Sequence, residues 1–251
     1  ESNYIKNIYV IPVGGQAMIT GPYEKAKKYI ESHQNISPAE RRLIQGPAIT
    51  LSRETGAGAD VIAEMICENL QNKAKNDMVK WTIFDKNLIE KVIEDHNLPG
   101  QIAKYLAEDK FNAINNTVNE LLGLHPPEWV LIHKTTQTIM QLASLGNVIL
   151  VGRGSNVVTA HMSNVIHVRF IAPLPDRIKH IMEKFDLMER AAAERIKKDD
   201  AMRRHYLHHH YGKELADNYL YHLIINTHLI PYKEAAELVS NYIINKFPQF
   251  F

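Results

Sequence analysis

Beyond Pro47 the chain settles into an alternation of short apolar runs and longer stretches of helical periodicity. The short runs are Ala48–Ser52, Val79–Phe84, Val148–Val151, Val165–Ile171 and Leu223–Asn226, each of strand length. Between them lie helical patterns. Ile62, Met65, Ile66 and Leu70 mark one apolar face, and residues 101–145 form a helical block split by Gly123 and Pro126-Pro127. Strands that alternate with helices in this way pair through crossovers. The expectation is an α/β fold: a mainly parallel sheet with helices on both faces.

Residues 1–46 stand apart from that rhythm. Asn7–Val13 reads as a strand ended by Gly14-Gly15, Pro22–His33 as a short helix, and Ser37, Pro38 and Glu40 as the start of a second one. So short a segment cannot bury its own core, so it is expected as an N-terminal arm packed on the domain formed by 47–251. The sequence opens on Glu1 rather than Met, as a processed or trimmed chain would.

Composition removes several classes. The 251 residues are 45% hydrophobic and 23% charged, with a net charge of +1. That balance suits a globular protein and gives no reason to expect a nucleic-acid or membrane partner. No apolar run approaches the roughly 20 residues that span a bilayer, and no signal segment opens the chain. Cys67 is the single cysteine, so no internal disulfide forms. This fits a reducing compartment, and a cytoplasmic location is expected.

The stretch Ser52-Arg53-Glu54-Thr55-Gly56-Ala57-Gly58-Ala59-Asp60 lies between a strand and a helix. Such a turn presents backbone N–H groups to an anion, and the helix dipole adds about half a positive charge. Glycine permits positive φ and close approach of a phosphate. The lysine that usually ends a nucleotide-binding loop is missing, because Gly58, Ala59 and Asp60 fill those positions. An ordinary strand-to-helix turn is the alternative reading.

Residues 49–70 resemble the opening of the cytidylate kinase-like family, a branch of the P-loop nucleoside monophosphate kinases. Ser52, Arg53, Gly56, Gly58, Ile62 and Ala63 carry the likeness, and the lysine is commonly absent in that branch. Ala57 and Ala59 are mild departures. Asp60 is a stronger one, since a carboxylate repels phosphate unless it faces a metal ion or points away. Three further segments follow in the family's order. Asp85-Lys86 ends the second strand, Gly152-Arg153-Gly154 ends the third, and a closing half carries Arg177, Asp200, Arg203, Tyr206, Tyr211, Gly212, Lys213, Tyr221, Ile225, Asn226 and Thr227. Plainer readings stand beside each: Asp85 as a helix cap, Arg153 as a surface arginine on a turn, and Asp199–Arg203 with Asp200–Arg204 as surface ion pairs four residues apart.

The resemblance implies an ATP-dependent phosphotransferase acting on a small-molecule nucleoside monophosphate such as CMP or dCMP, with a helical substrate-side insertion at about 100–145 and a lid at about 186–213. Ser52, Arg53, Thr55, Gly56, Ala57, Gly58, Ala59 and Asp60 would hold ATP. Asp85, Lys86, Arg153 and Lys213 would bind the acceptor. Arg53, Arg153, Arg177, Arg203 and Arg204 would carry the catalytic charge, with Arg53 partly replacing the lysine. Ser52 or Asp60 would ligate Mg²⁺, although Val61 stands where many such loops place a metal-binding threonine. From Arg177 to Lys213 ten Lys/Arg face six Asp/Glu, a balance of +4, which suits a lid over phosphate.

Three rivals remain open at this point: a nucleotide-binding pseudokinase, a kinase for another small molecule, and an interaction protein assembled through 1–46. A homo-oligomer is compatible with all of them. His208, His209 and His210 are adjacent and so point around a helix rather than at one metal ion. Cys67, Trp81 and Trp129 are expected to serve packing.

Overall fold

The computed structural model describes residues 22–33, 46–75, 79–94, 106, 108–122 and 130–251. The expected strand Asn7–Val13, the helix start at Ser37, the breakers Gly123 and Pro126-Pro127, and Trp129 lie outside the described residues.

Five strands form one sheet: β1 (Ala48–Arg53), β2 (Thr82–Phe84), β3 (Val148–Val151), β4 (Val165–Ile171) and β5 (Leu223–Asn226). The order is β2-β3-β1-β4-β5, and every pairing is parallel. The helices are α1 (Pro22–Ser32), α2 (Ala59–Lys73), α3 (Lys86–Glu94), α4 (Glu108–Leu122), α5 (Val130–Leu145), the single turn α6 (Ser155–Val158), α7 (Leu174–Phe185), α8 (Glu189–Tyr211) and α9 (Tyr232–Lys246). This is the expected α/β architecture. One strand is shorter than its apolar run. Pairing with β3 begins only at Thr82, because Trp81 N–H bonds the Gln71 side chain at 2.9 Å instead of a neighbouring strand.

Alternation along each strand sends side chains to two cores. Ile49, Leu51, Ile149, Val151, Ile166, Val168 and Phe170 face α2 and α9, meeting Ile62, Ile66, Ala236 and Val239. Ala48, Val148, Leu150, Val165 and Phe84 face the other way. They pack with α1, α3, α4, α5 and the end of α8 through Tyr29, Ile89, Val118, Ile139 and Leu207. Helix α1 thus buries Ala26, Tyr29 and Ile30 against the domain. No helix among the described residues is long and apolar enough to cross a membrane.

The pair α7 and α8 has a small core of its own, Ile181, Ala192 and Ile196. Asp186, at φ 52°, turns the chain between them. Asp186 supplies the left-handed residue that ends α7, a conformation Asp tolerates better than most residues.

Two consequences are measurable. Phe170 is fully buried among the α2 and α9 side chains, so Phe170→Ala should lower unfolding free energy by about 3–5 kcal/mol in a denaturant titration. His167 is enclosed in β4 and shares a 2.8 Å hydrogen bond with Thr50 Oγ1. Burial, and secondarily His222, pulls its pKa down to about 4. The fold therefore holds the neutral ring. Its contribution is complete above the unfolded value of about 6.5 and drains away as pH falls toward about 4, by roughly 3 kcal/mol at most. His167→Gln should flatten the stability curve across that window.

Candidate active site

Parallel strands bring all their carboxyl ends to one edge, and in open α/β sheets ligands bind in the crevice beyond that edge. β1 leads there into the turn Glu54–Gly58. Gly56 and Gly58 sit at φ 87° and 75°, and a Cβ on Gly58 would overlap the Tyr232 ring of α9. Only glycine meets both demands. Helix α2 begins at Ala59 with no side-chain cap, so its first-turn N–H groups remain open at the crevice.

A carboxylate from α8 lies on this turn. Asp200 Oδ1, on α8, accepts Thr55 N–H at 2.9 Å and Thr55 Oγ1–H at 2.6 Å. Arg203 Nη1 donates to the same oxygen at 3.1 Å and also to Thr55 Oγ1. Arg177 Nη1 donates to Asp200 Oδ2 at 2.7 Å and to the Thr55 carbonyl at 3.3 Å. Burial pushes the Asp200 pKa up, but the Thr55 hydroxyl and N–H and the Arg177 guanidinium outweigh it and hold the group below the ordinary carboxylate value. Arg177 Nε stands 3.7 Å from Glu54 Oε2, which accepts Ala172 N–H at 3.1 Å. The expected surface pairs Asp199–Arg203 and Asp200–Arg204 do not form. Asp199 pairs with Arg195, while Asp200 turns inward to Arg177 and Arg203.

Arg53 continues β1 into the crevice. Its Nη1 passes where a Cβ of Gly152 would stand, which explains a glycine at the end of β3. Burial, and secondarily Arg203, lower its pKa to about 10 against the opposing pull of Asp85, Asp199 and Asp200. It therefore stays cationic at neutral pH, with no carboxylate oxygen within 4 Å among the described residues.

After β3 the chain makes three consecutive left-handed residues, Gly152, Arg153 and Gly154, at φ 82°, 55° and 68°. Arginine in that region is strained, which marks the position as specified by its surroundings. Arg153 bonds Glu90 of α3 and lies 5.0 Å from the Tyr206 ring centroid of α8.

Thr55, Arg53, Arg177 and Arg203 are thus gathered around the turn, with Arg153 held by α3 and α8. Other predicted residues lie elsewhere. Lys86, Arg204 and Lys213 are exposed, and none has an ion pair among the described residues. Asp85 is exposed and its Oδ1 accepts Leu88 N–H at 2.8 Å, a cap for α3. Asp60 is exposed and its carboxylate is held by Lys184 of α7. Ser52 Oγ accepts from Arg169 Nη1 and Tyr221 Oη–H, each at 3.3 Å. Ser52 and Asp60 therefore each face a cation, an arrangement that does not fit Mg²⁺ held by these two oxygens. Among the histidines, His208 contacts Glu214 and His205 stacks on His209.

Sequence reasoning passed over Arg169, enclosed in β4, and assigned no role to Asp200 at the turn. A charged residue inside the run Val165–Ile171 was the available signal for the first. Asp200→Asn should leave Arg203 without its counter-charge and Arg177 with Glu54 alone. An apparent destabilisation of about 1–3 kcal/mol is expected in thermal melts, with faster proteolysis of α8.

The sequence profile of the cytidylate kinase-like family matches residues 48–229. A uronate isomerase of Corynebacterium glutamicum is 32% identical over 118 residues, which are 47% of this chain and 23% of that protein. The chain thus spans less than a quarter of that relative's length. The crystal structure of an uncharacterized protein from Eubacterium ventriosum ATCC 27560 superposes with a TM-score of 0.61 at 20% identity, over 80% of this chain and 99% of that one. That likeness is one of fold. The profile runs from β1 through the glycine turn, Arg153 and the lid to the loop after β5, and the chain therefore belongs to the cytidylate kinase-like family.

Proposed function

We propose that this chain transfers the γ-phosphoryl group of ATP to a nucleoside monophosphate, with CMP or dCMP as the first acceptors to test. The observation that supports this most is Asp200: a carboxylate seated on a main-chain N–H of the turn, with Arg177 of α7 and Arg203 of α8 on it. An oxyanion is what that cradle accepts, and a phosphate oxygen can replace the carboxylate.

Phosphoryl transfer asks a protein mainly for alignment, positive charge and exclusion of water. Three elements of this chain address those needs. The amides of Thr55 to Asp60 and the start of α2 would hold the donor phosphates. Arg177 and Arg203, released from Asp200, would lie on the transferring group, and Arg53 would add the charge that the missing lysine does not supply. Arg153, oriented by Glu90 and Tyr206, would face the acceptor side. Closure of α7 and α8 over the turn would exclude water. ATP brings the phosphoryl group itself. Neither Ser52 nor Asp60 is assigned to a metal.

A second reading, nucleotide binding without transfer, is supported by the cations facing Ser52 and Asp60. The two readings part in one assay. ATP consumption measured with CMP, dCMP, UMP, AMP and GMP should rise above the acceptor-free rate with at least one of them. Arg177→Ala and Arg203→Ala should each lower kcat/KM by about 10²–10³. ATP binding by calorimetry with no acceptor-dependent consumption would establish the second reading and reject the first.

A further inference from the structure

Central strands of a parallel sheet are closed off by helices on both faces, so they read as near-continuous apolar runs. Two register pairs of β1 and β4 break that rule on the face that carries Ala48 and Val165. Thr50 lies opposite His167, and Ser52 opposite Arg169. The inner pair satisfies itself: Thr50 Oγ1 and His167 Nδ1 share a hydrogen bond, and His167 N–H donates to His222 Nδ1 at 3.0 Å.

The outer pair does not. Arg169 is 7% exposed, and its guanidinium is a permanent cation. No carboxylate oxygen lies within 4 Å of it among the described residues. Its one hydrogen bond runs from Nη1 to Ser52 Oγ at 3.3 Å. The Tyr221 ring centroid lies 5.6 Å from its Cζ. The Tyr221 hydroxyl reaches Ser52 Oγ at 3.3 Å and the Leu215 carbonyl at 3.0 Å. Arg153, Arg177 and Arg203 are balanced, the first by Glu90, the second by Asp200 and Glu54, the third by Asp200, and only Arg53 shares the lack of a carboxylate within 4 Å among the described residues. A cation so enclosed without a counter-charge is costly. Arg169 Nε and Nη2 are not among the fully sealed unpartnered atoms, so both remain reachable. The site lies at the carboxyl edge, one residue before Arg53.

We propose that Arg169, Ser52 and Tyr221 form an oxyanion subsite for a phosphomonoester group, distinct from the glycine turn. The guanidinium fork supplies two parallel donors, and the Ser52 hydroxyl, positioned by Tyr221, supplies one from another direction, which suits a tetrahedral oxyanion. The group is either the phosphate of the acceptor, in which case the assignment rests on the kinase reading, or free orthophosphate.

The full-length chain tests this with orthophosphate, acetate and CMP as probes. Wild type should melt higher as orthophosphate is raised and not respond to acetate at equal ionic strength. Arg169→Gln should melt no lower than wild type in anion-free buffer, lose the orthophosphate response, and bind orthophosphate at least tenfold more weakly by calorimetry. Arg169→Lys keeps charge without the fork and should fall between them. Tyr221→Phe should weaken binding with the fold intact, which keeps the test open if Arg169→Gln fails to fold. A rise of tenfold or more in KM for CMP, with KM for ATP unchanged, identifies the acceptor as the source. An effect on orthophosphate alone identifies the free anion. Retention of the orthophosphate response in Arg169→Gln, or an equal response to acetate, overturns the proposal. The outcome is separable from that of the kinase reading. An Arg169-dependent response without turnover keeps the subsite and rejects the kinase. Turnover with unchanged KM and phosphate response in Arg169→Gln does the reverse.

Discussion

Parallel pairing of β1 between β3 and β4 is the constraint on which the rest of the molecule depends. It sets Ser52 and Arg53, Gly152 and Arg153, and Arg169 at one edge of the sheet, from three separate segments of the chain. Two apolar cores fix the register, because a slip by one residue would turn Ile49, Leu51, Ile166 and Val168 away from α2 and α9. The functional edge is thus a by-product of hydrophobic burial. Nothing in the crevice itself is needed to build it.

On that frame the polar groups are arranged by charge accounting. Asp200 gathers Thr55, Arg177 and Arg203, and Glu90 holds Arg153. Arginines brought from β1, α7 and α8 lie around the loop in which the usual lysine is missing. Each is planar and carries several donors, so each can grip a carboxylate or a phosphate in the same way.

Much of the fold was legible in the sequence because burial leaves a strong trace. Runs such as Val148–Val151 and Val165–Ile171 coincide with the strands observed. Residues 79–81 misled because Val79 and Trp81 are buried without being paired in the sheet. The site was legible only in part. Thr55, Arg177 and Arg203 were reachable through a family likeness, since no local pattern says that α7 and α8 fold back onto the turn. Arg169 was hidden by its own setting: within an apolar strand one arginine reads as an interruption. Asp200 was hidden by the helix, where spacing to Arg204 offered a pairing that the tertiary structure overrides.

Helices α7 and α8 are fastened to α2 and to the turn at two places of unlike character. Lys184 meets Asp60 at an exposed position, whereas Asp200 meets Thr55 of the turn where both side chains are largely enclosed. Dissolved ions weaken attraction across water over about 8–10 Å and act far less on enclosed charges. Raising ionic strength therefore weakens the contact of α7 with α2 before the enclosed contact of α8 with the turn.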